Sequence, residues 1–118
     1  MGEWLVLEGY DKNDLASFHL QLLTKTIDLK KYPLTRLVIE KNITNEEYKE
    51  LFQLLHTINE EFEAQKEEGF LNFSPLLIHF AGMLNEKLNP DETIHALKQE
   101  GYFVELMEVF INLIVERE

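Results

Sequence analysis

The chain has 118 residues, 28% of them charged and 45% hydrophobic, with no cysteine and a formal net charge of −11. That length suits one domain with a core of its own, and the missing thiols exclude a disulfide, a thiolate zinc site and a cysteine nucleophile. The acidic balance argues against nucleic acid or an anionic membrane as partner, because both are bound through clustered Lys and Arg.

Residues 1–10 fit neither helix nor strand and read as an N-terminal arm ahead of a single domain spanning 11–118. The arm carries Glu3 where an export signal needs basic residues, and its apolar run from Trp4 to Leu7 is too short to span a bilayer. The expected location is cytoplasmic.

From Asn13 or Asp14 to about Leu29 the spacing predicts an amphipathic helix. Asp14, Ser17, Gln21, Thr24 and Asp28 line one side, and Leu15, Phe18, Leu22 and Leu29 the other. His19 falls within the apolar arc. Tyr32 and Pro33 end that pattern and start a short helix to Lys41, with Asn42 suited to the left-handed position after it. Thr44 and Glu47 form a capping box, with Ile43 and Tyr48 placed as a hydrophobic staple. The helix they start carries the stripe Tyr48, Leu51, Phe52, Leu55, Ile58 and Phe62 and stops at Gly69. At 1.5 Å per residue it is ~36 Å long, enough to cross a compact domain of this size.

Gly69 to Asn85 contains no charged residue. Ser74 and Pro75 are expected to cap and open a helix over 75–86 that is apolar on every side and therefore surrounded by protein. Gly82 inside it costs about 1 kcal/mol relative to alanine unless a neighbouring helix comes close. Asn89 and Pro90 start a further helix, stopped by Gly101, with only Ile94 and Leu97 strongly apolar; it reads as a surface element. The last helix, Tyr102 to about Glu116, confines its polar residues to one narrow line. Phe103, Leu106, Met107, Phe110, Ile111 and Ile114 lie outside that line. The expected architecture is all-α: a single multihelical domain of about five to six helices packed around the central apolar helix (75–86). Two helices apolar on so many sides are hard to cover from within, so a homo-oligomer, preferably a dimer, is expected, with those six residues of the last helix at its interface.

Candidate chemistry is sparse. Glu92 and His95 have the Glu-x-x-His spacing that puts two metal ligands on one helix face, but carboxylate-bridged metal bundles need the motif twice, and it occurs once here. His19 and His79 each fall among apolar neighbours on different helices. They read as core histidines, or alternatively as the lining of a small-molecule or metal pocket. Glu60, Glu61, Glu63, Glu67 and Glu68 crowd the end of the long helix and read as a solvated face, a surface for a basic protein partner, or a loose divalent-cation site. Lys25, Lys30, Lys31, Arg36 and Lys41 form the basic concentration of the chain. Ser17 sits on a polar helix face, Ser74 is needed as a cap, and the five glycines are scattered, so neither a serine nucleophile nor a phosphate-cradling loop is legible. No catalytic residue and no cofactor site is singled out, and the balance leans away from an enzyme.

The segments Gln21–Leu23, Tyr32–Pro33, Gln65–Phe70, Phe80–Leu88, Glu92–Ile94 and Glu105–Ile111 resemble the YhaI-like family, small bacterial proteins classed as a domain of unknown function. The resemblance covers nearly everything after the first ten residues. It implies a multihelical cytoplasmic protein and brings no activity or site residue with it. The reading is thus a self-associating, non-enzymatic interaction protein with an acidic surface; the alternative is a ligand- or metal-binding protein with a site near His19 and His79.

Overall fold

The structure is a computed structural model that describes residues 12–117; the expected arm over 1–10 lies outside the described residues. Among the described residues six α-helices follow one another: α1 Lys12–Thr24, α2 Pro33–Glu40, α3 Asn45–Glu67, α4 Ser74–Met83, α5 Pro90–Glu100 and α6 Val104–Arg117, with a 3-10 turn, Leu29–Lys31, before α2. There is no strand among the described residues. The fold is all-α and multihelical, as expected.

α1 is shorter than its apolar pattern. Thr24 and Thr26 each turn their hydroxyl back onto a carbonyl three residues earlier, at 2.7 Å, and the backbone tightens there into Lys25 N–H to Leu22 O and Thr26 N–H to Leu23 O. These local bonds compete with the helical ladder and end it. Asp28 then accepts the N–H of Lys30 at 3.1 Å and opens the 3-10 turn.

The helix ends elsewhere follow the residue chemistry. Asn42 takes a φ of 56° after α2, and Gly69 takes 87° after α3. At the latter, Phe70 N–H reaches Gln65 O and Gly69 N–H reaches Lys66 O, the paired bonds of a Schellman stop. Gly101 repeats the arrangement, with φ 89° and Tyr102 N–H on Leu97 O. Thr44 and Glu47 make both bonds of the capping box, at 3.1 and 2.9 Å. α4 begins differently from expectation: Phe73 is its N-cap, and Ser74 gives its N–H to Asn72 Oδ1 at 3.1 Å rather than capping with its own hydroxyl.

The body is built from α3 against α4, α5 against α6, and α2 against α5, with α4 touching α6. Phe62, Phe80, Phe110, Leu55, Ile58 and Met107 are fully enclosed where these layers meet. Phe80 of α4 and Phe110 of α6 lie 5.8 Å apart between ring centres, and Phe62 meets Phe73 edge-on at 5.0 Å. Two expectations change. α5 is no peripheral helix: Thr93, Ile94, Ala96 and Leu97 are buried between α2 and α6. Thr93 can be buried because its hydroxyl bonds Asn89 O at 2.7 Å. α4, by contrast, is covered on one side only. Leu76, Leu77 and Phe80 point inward, while Ile78 and Met83 are 59% and 64% exposed, so among the described residues the apolar helix is not enclosed.

Gly82 shows why. A methyl group built on it would meet nothing within 4 Å, so among the described residues no neighbouring helix takes up the space its missing side chain leaves. The Cα radius of gyration is 18.6 Å and the longest dimension 65 Å, against ~13 to 14 Å for a compact domain of this length. Among the described residues α1 makes no extensive contact with any other helix.

Candidate functional site

The surface of interest is apolar. α1 turns Phe18, Leu22 and Leu23 outward, 53%, 43% and 54% exposed, and Ile27 beyond its end is 48% exposed. An exposed apolar residue standing alone is ordinary, whereas a contiguous apolar stripe on a soluble domain marks a contact surface. The second stretch of this kind is the outer side of α4 with the loop before it: Phe70, Leu71, Ile78 and Met83 are exposed, interspersed with Pro75, Ala81 and Gly82. No charge falls between Gly69 and Asn85 to break it.

Of the residues expected at an oligomer interface, Leu106, Met107 and Phe110 are at most 1% exposed and belong to the chain's own core. They are buried because α6 lays this side against α5 and α4. Phe103, Ile111 and Ile114 are half-buried and keep part of their surface outward. Phe103 also holds a φ of 50°, unusual for a bulky side chain, and its ring is gripped between Phe52 and His56 at 6.4 and 5.1 Å. The grip keeps the backbone in a conformation that a free phenylalanine avoids.

His19 is exposed on α1 beside Phe18, with ring centres 5.8 Å apart, and His79 is half-buried on α4. Neither lines a described cleft. His56 meets the Phe103 ring edge-on. Glu92 and His95 do share a cleft, about 300 Å³ between α2 and α5, with Arg36, Glu40 and Gln99. His95 Nδ1 lies 2.8 Å from Asp91 O; a carbonyl only accepts, so this nitrogen carries the proton. Arg36 is paired with Glu40 at 2.9 Å, and that hydrogen bond, with the charge behind it, raises the guanidinium pKa above its ordinary value. Among the described residues no three His, Asp or Glu side chains gather in an arrangement able to hold a metal.

A second cleft, about 280 Å³, lies between the start of α3 and the end of α4, lined by Glu47, Glu50, Leu51, Leu54, Met83, Leu84 and Asn85. At its edge Glu47 accepts from Lys87 Nζ at 2.8 Å, Thr44 N–H at 2.9 Å and Asn85 Nδ2 at 2.9 Å. Lys87 also reaches Asn42 O at 3.1 Å. The Lys87 bond, then those from Thr44 and Asn85, bring the Glu47 carboxyl from 4.5 to about 2. Sequence reasoning placed Glu47 in its cap but missed this knot, because Lys87 is 40 positions away and no local pattern joins them.

The acids at the end of α3, Glu60, Glu61, Glu63, Glu67 and Glu68, are all exposed. Lys66 among them is drawn to Glu105 of α6 at 2.7 Å and sits 5.0 Å from the Phe62 ring centre. The exposed positions Lys25, Lys30, Lys31, Arg36 and Lys41 lie in the segment from α1 to α2. No helix among the described residues is long and apolar enough to cross a membrane. The family model described as "Protein of unknown function (DUF1878)" matches residues 10–115.

Proposed function

The chain belongs to the DUF1878 family of proteins of unknown function, and on that footing we propose that it is a self-associating helical interaction protein rather than an enzyme. The observation that carries this reading is α1. It is a helix of 13 residues with an apolar stripe, Phe18, Leu22 and Leu23, about half exposed and uncovered by any other helix among the described residues. Helices of this length are marginal by themselves, and most helical stability in proteins comes from packing an apolar face. Exposed Ile78 and Met83 on α4 add a second surface of the same kind. Phe103, Ile111 and Ile114 at and within α6 are only partly buried. The acids outnumber the bases sixteen to five over residues 42–118, which suits a basic protein as any further partner and repels polyanions.

Sedimentation velocity over a range of concentrations tests the reading. The expected result is a species of twice the chain mass that shifts toward monomer on dilution. The double variant Phe18→Glu, Leu23→Glu, changed only at exposed positions, is expected to remain helical and run as a monomer. A wild-type chain that is monomeric at every concentration overturns the proposal.

A further inference from the structure

We propose that α1 of one copy docks along the outer face of α4 of a second copy, antiparallel to it, and that the two copies make this contact reciprocally. The inference rests on the self-association reading and names the surfaces that meet. Shape comes first. The exposed side of α4 presents Ile78 with Ala81 and Gly82 beside it, and among the described residues nothing comes within 4 Å of a methyl group built on Gly82. Small residues flanked by a large apolar one let a second helix approach closely, and the stripe Phe18, Leu22 and Leu23 supplies bulk that such a surface lacks. The ten residues of α4 and thirteen of α1 are ~15 and ~20 Å long, so one lies on the other without overhanging far.

Charge supplies the choice of partner and the direction. Residues 12–41 hold six Lys and Arg against three acids, although the whole chain carries −11. The bases that follow α1, Lys25, Lys30 and Lys31, are exposed, and so are Glu67 and Glu68 at the end of α3, just before the loop into α4. An antiparallel α1 brings its C-terminal end, and therefore those lysines, to the start of α4 and those glutamates. A parallel one carries them away. The complementary patches thus belong to one sequence, which is what a symmetric pair of copies requires, and two-fold symmetry forms the contact twice for one association event.

The chain has no cysteine, so introduced thiols report only on each other. Leu22→Cys and Ile78→Cys, both at exposed positions, are prepared separately, checked for wild-type helicity, mixed and oxidised. The expected product is a disulfide-linked pair containing one of each. Linkage of the Leu22→Cys chain chiefly to itself overturns the proposal in favour of α1 pairing with α1. A double variant that closes its disulfide within one chain overturns it in favour of α1 folding back. No linkage, in a protein that still sediments as a dimer, overturns the docking while leaving self-association standing; a monomer overturns both. Lys30→Glu with Lys31→Glu is expected to weaken the dimer, and Glu67→Lys with Glu68→Lys in the same chain to restore it. Failure of that restoration overturns the antiparallel direction.

Discussion

Glu100 closes the first turn of α2 from 66 positions away: its Oε2 accepts the backbone N–H of Leu34. The same oxygen takes the N–H of Thr35 at 2.9 Å. α2 needs this, because its N-cap, Tyr32, makes no side-chain capping bond, and Pro33 fixes the turn without supplying an acceptor. A carboxylate at a helix N-terminus meets unpaired donors and the positive end of the dipole together. The last turn of α5 therefore does for α2 what Thr44 does for α3 within its own sequence.

Glu100→Ala is expected to cost about 1–2 kcal/mol, the range for loss of a cap, and Glu100→Gln distinctly less, since the amide oxygen still accepts. Urea unfolding of the three proteins measures it. A loss confined to α2, seen as faster amide exchange at Leu34 and Thr35, identifies the cap as the cause; equal stability of all three proteins removes it.

Acid stability depends on Glu47. Its folded-state carboxyl titrates at about 2 rather than 4.5, because Lys87, the Thr44 N–H and Asn85 all favour the charged form. A depressed carboxylate pKa contributes stability that is fully present above the unfolded value and is lost as pH falls through the folded one. Stability is thus expected to drop between pH 4.5 and about 2 as this group takes up its proton. Glu47→Gln is expected to be less stable at neutral pH and to show a shallower fall over that window. Parallel acid-unfolding curves for the two proteins contradict the assignment.

Local chemistry made most of the helix ends legible. Asn42, Thr44, Gly69, Asn89 and Gly101 stand where their side chains, or the lack of one, require. The interior stripe of α3 was legible for the same reason, since Leu51, Leu55, Ile58 and Phe62 recur at helical spacing and are buried. Hydrophobicity alone misled where it could not say which neighbour arrives. α4 is apolar all round, but it meets α3 and α6 on one side only. α5 looked too polar to be central, yet it packs on both α2 and α6 because Thr93 and Ala96 are small enough to let it in. The Glu47–Lys87 and Glu100–Leu34 contacts join distant segments, and no periodicity within a window announces them.

Gly82→Ala is expected to stabilise the isolated chain by about 0.5–1 kcal/mol, since alanine is the better helix former and a Cβ here meets no atom within 4 Å. Thermal unfolding at low protein concentration reads this term. Where a second copy lies over α4, a larger replacement such as Gly82→Gln keeps the fold and weakens the dimer. A destabilised Gly82→Ala monomer contradicts the open space above this residue.

Phe80 and Ile78, two positions apart on α4, separate folding from association. Phe80 is 0% exposed and stacks near Phe110, whereas Ile78 is 59% exposed. Truncating a buried phenylalanine removes its transfer free energy and leaves a cavity, so Phe80→Ala is expected to cost ~3–5 kcal/mol, a large part of what a domain this size possesses. Ile78→Ala removes a side chain that is mostly in water and is expected to leave the unfolding midpoint of dilute protein within about 0.5 kcal/mol of wild type. Its effect belongs to the concentrated protein, where loss of the apolar contact raises the dissociation constant. Denaturant titrations at low and high concentration distinguish the two: Phe80→Ala shifts both curves equally, and Ile78→Ala shifts only the concentrated one. Equal shifts for Ile78→Ala place that residue in the core and remove α4 from the contact surface.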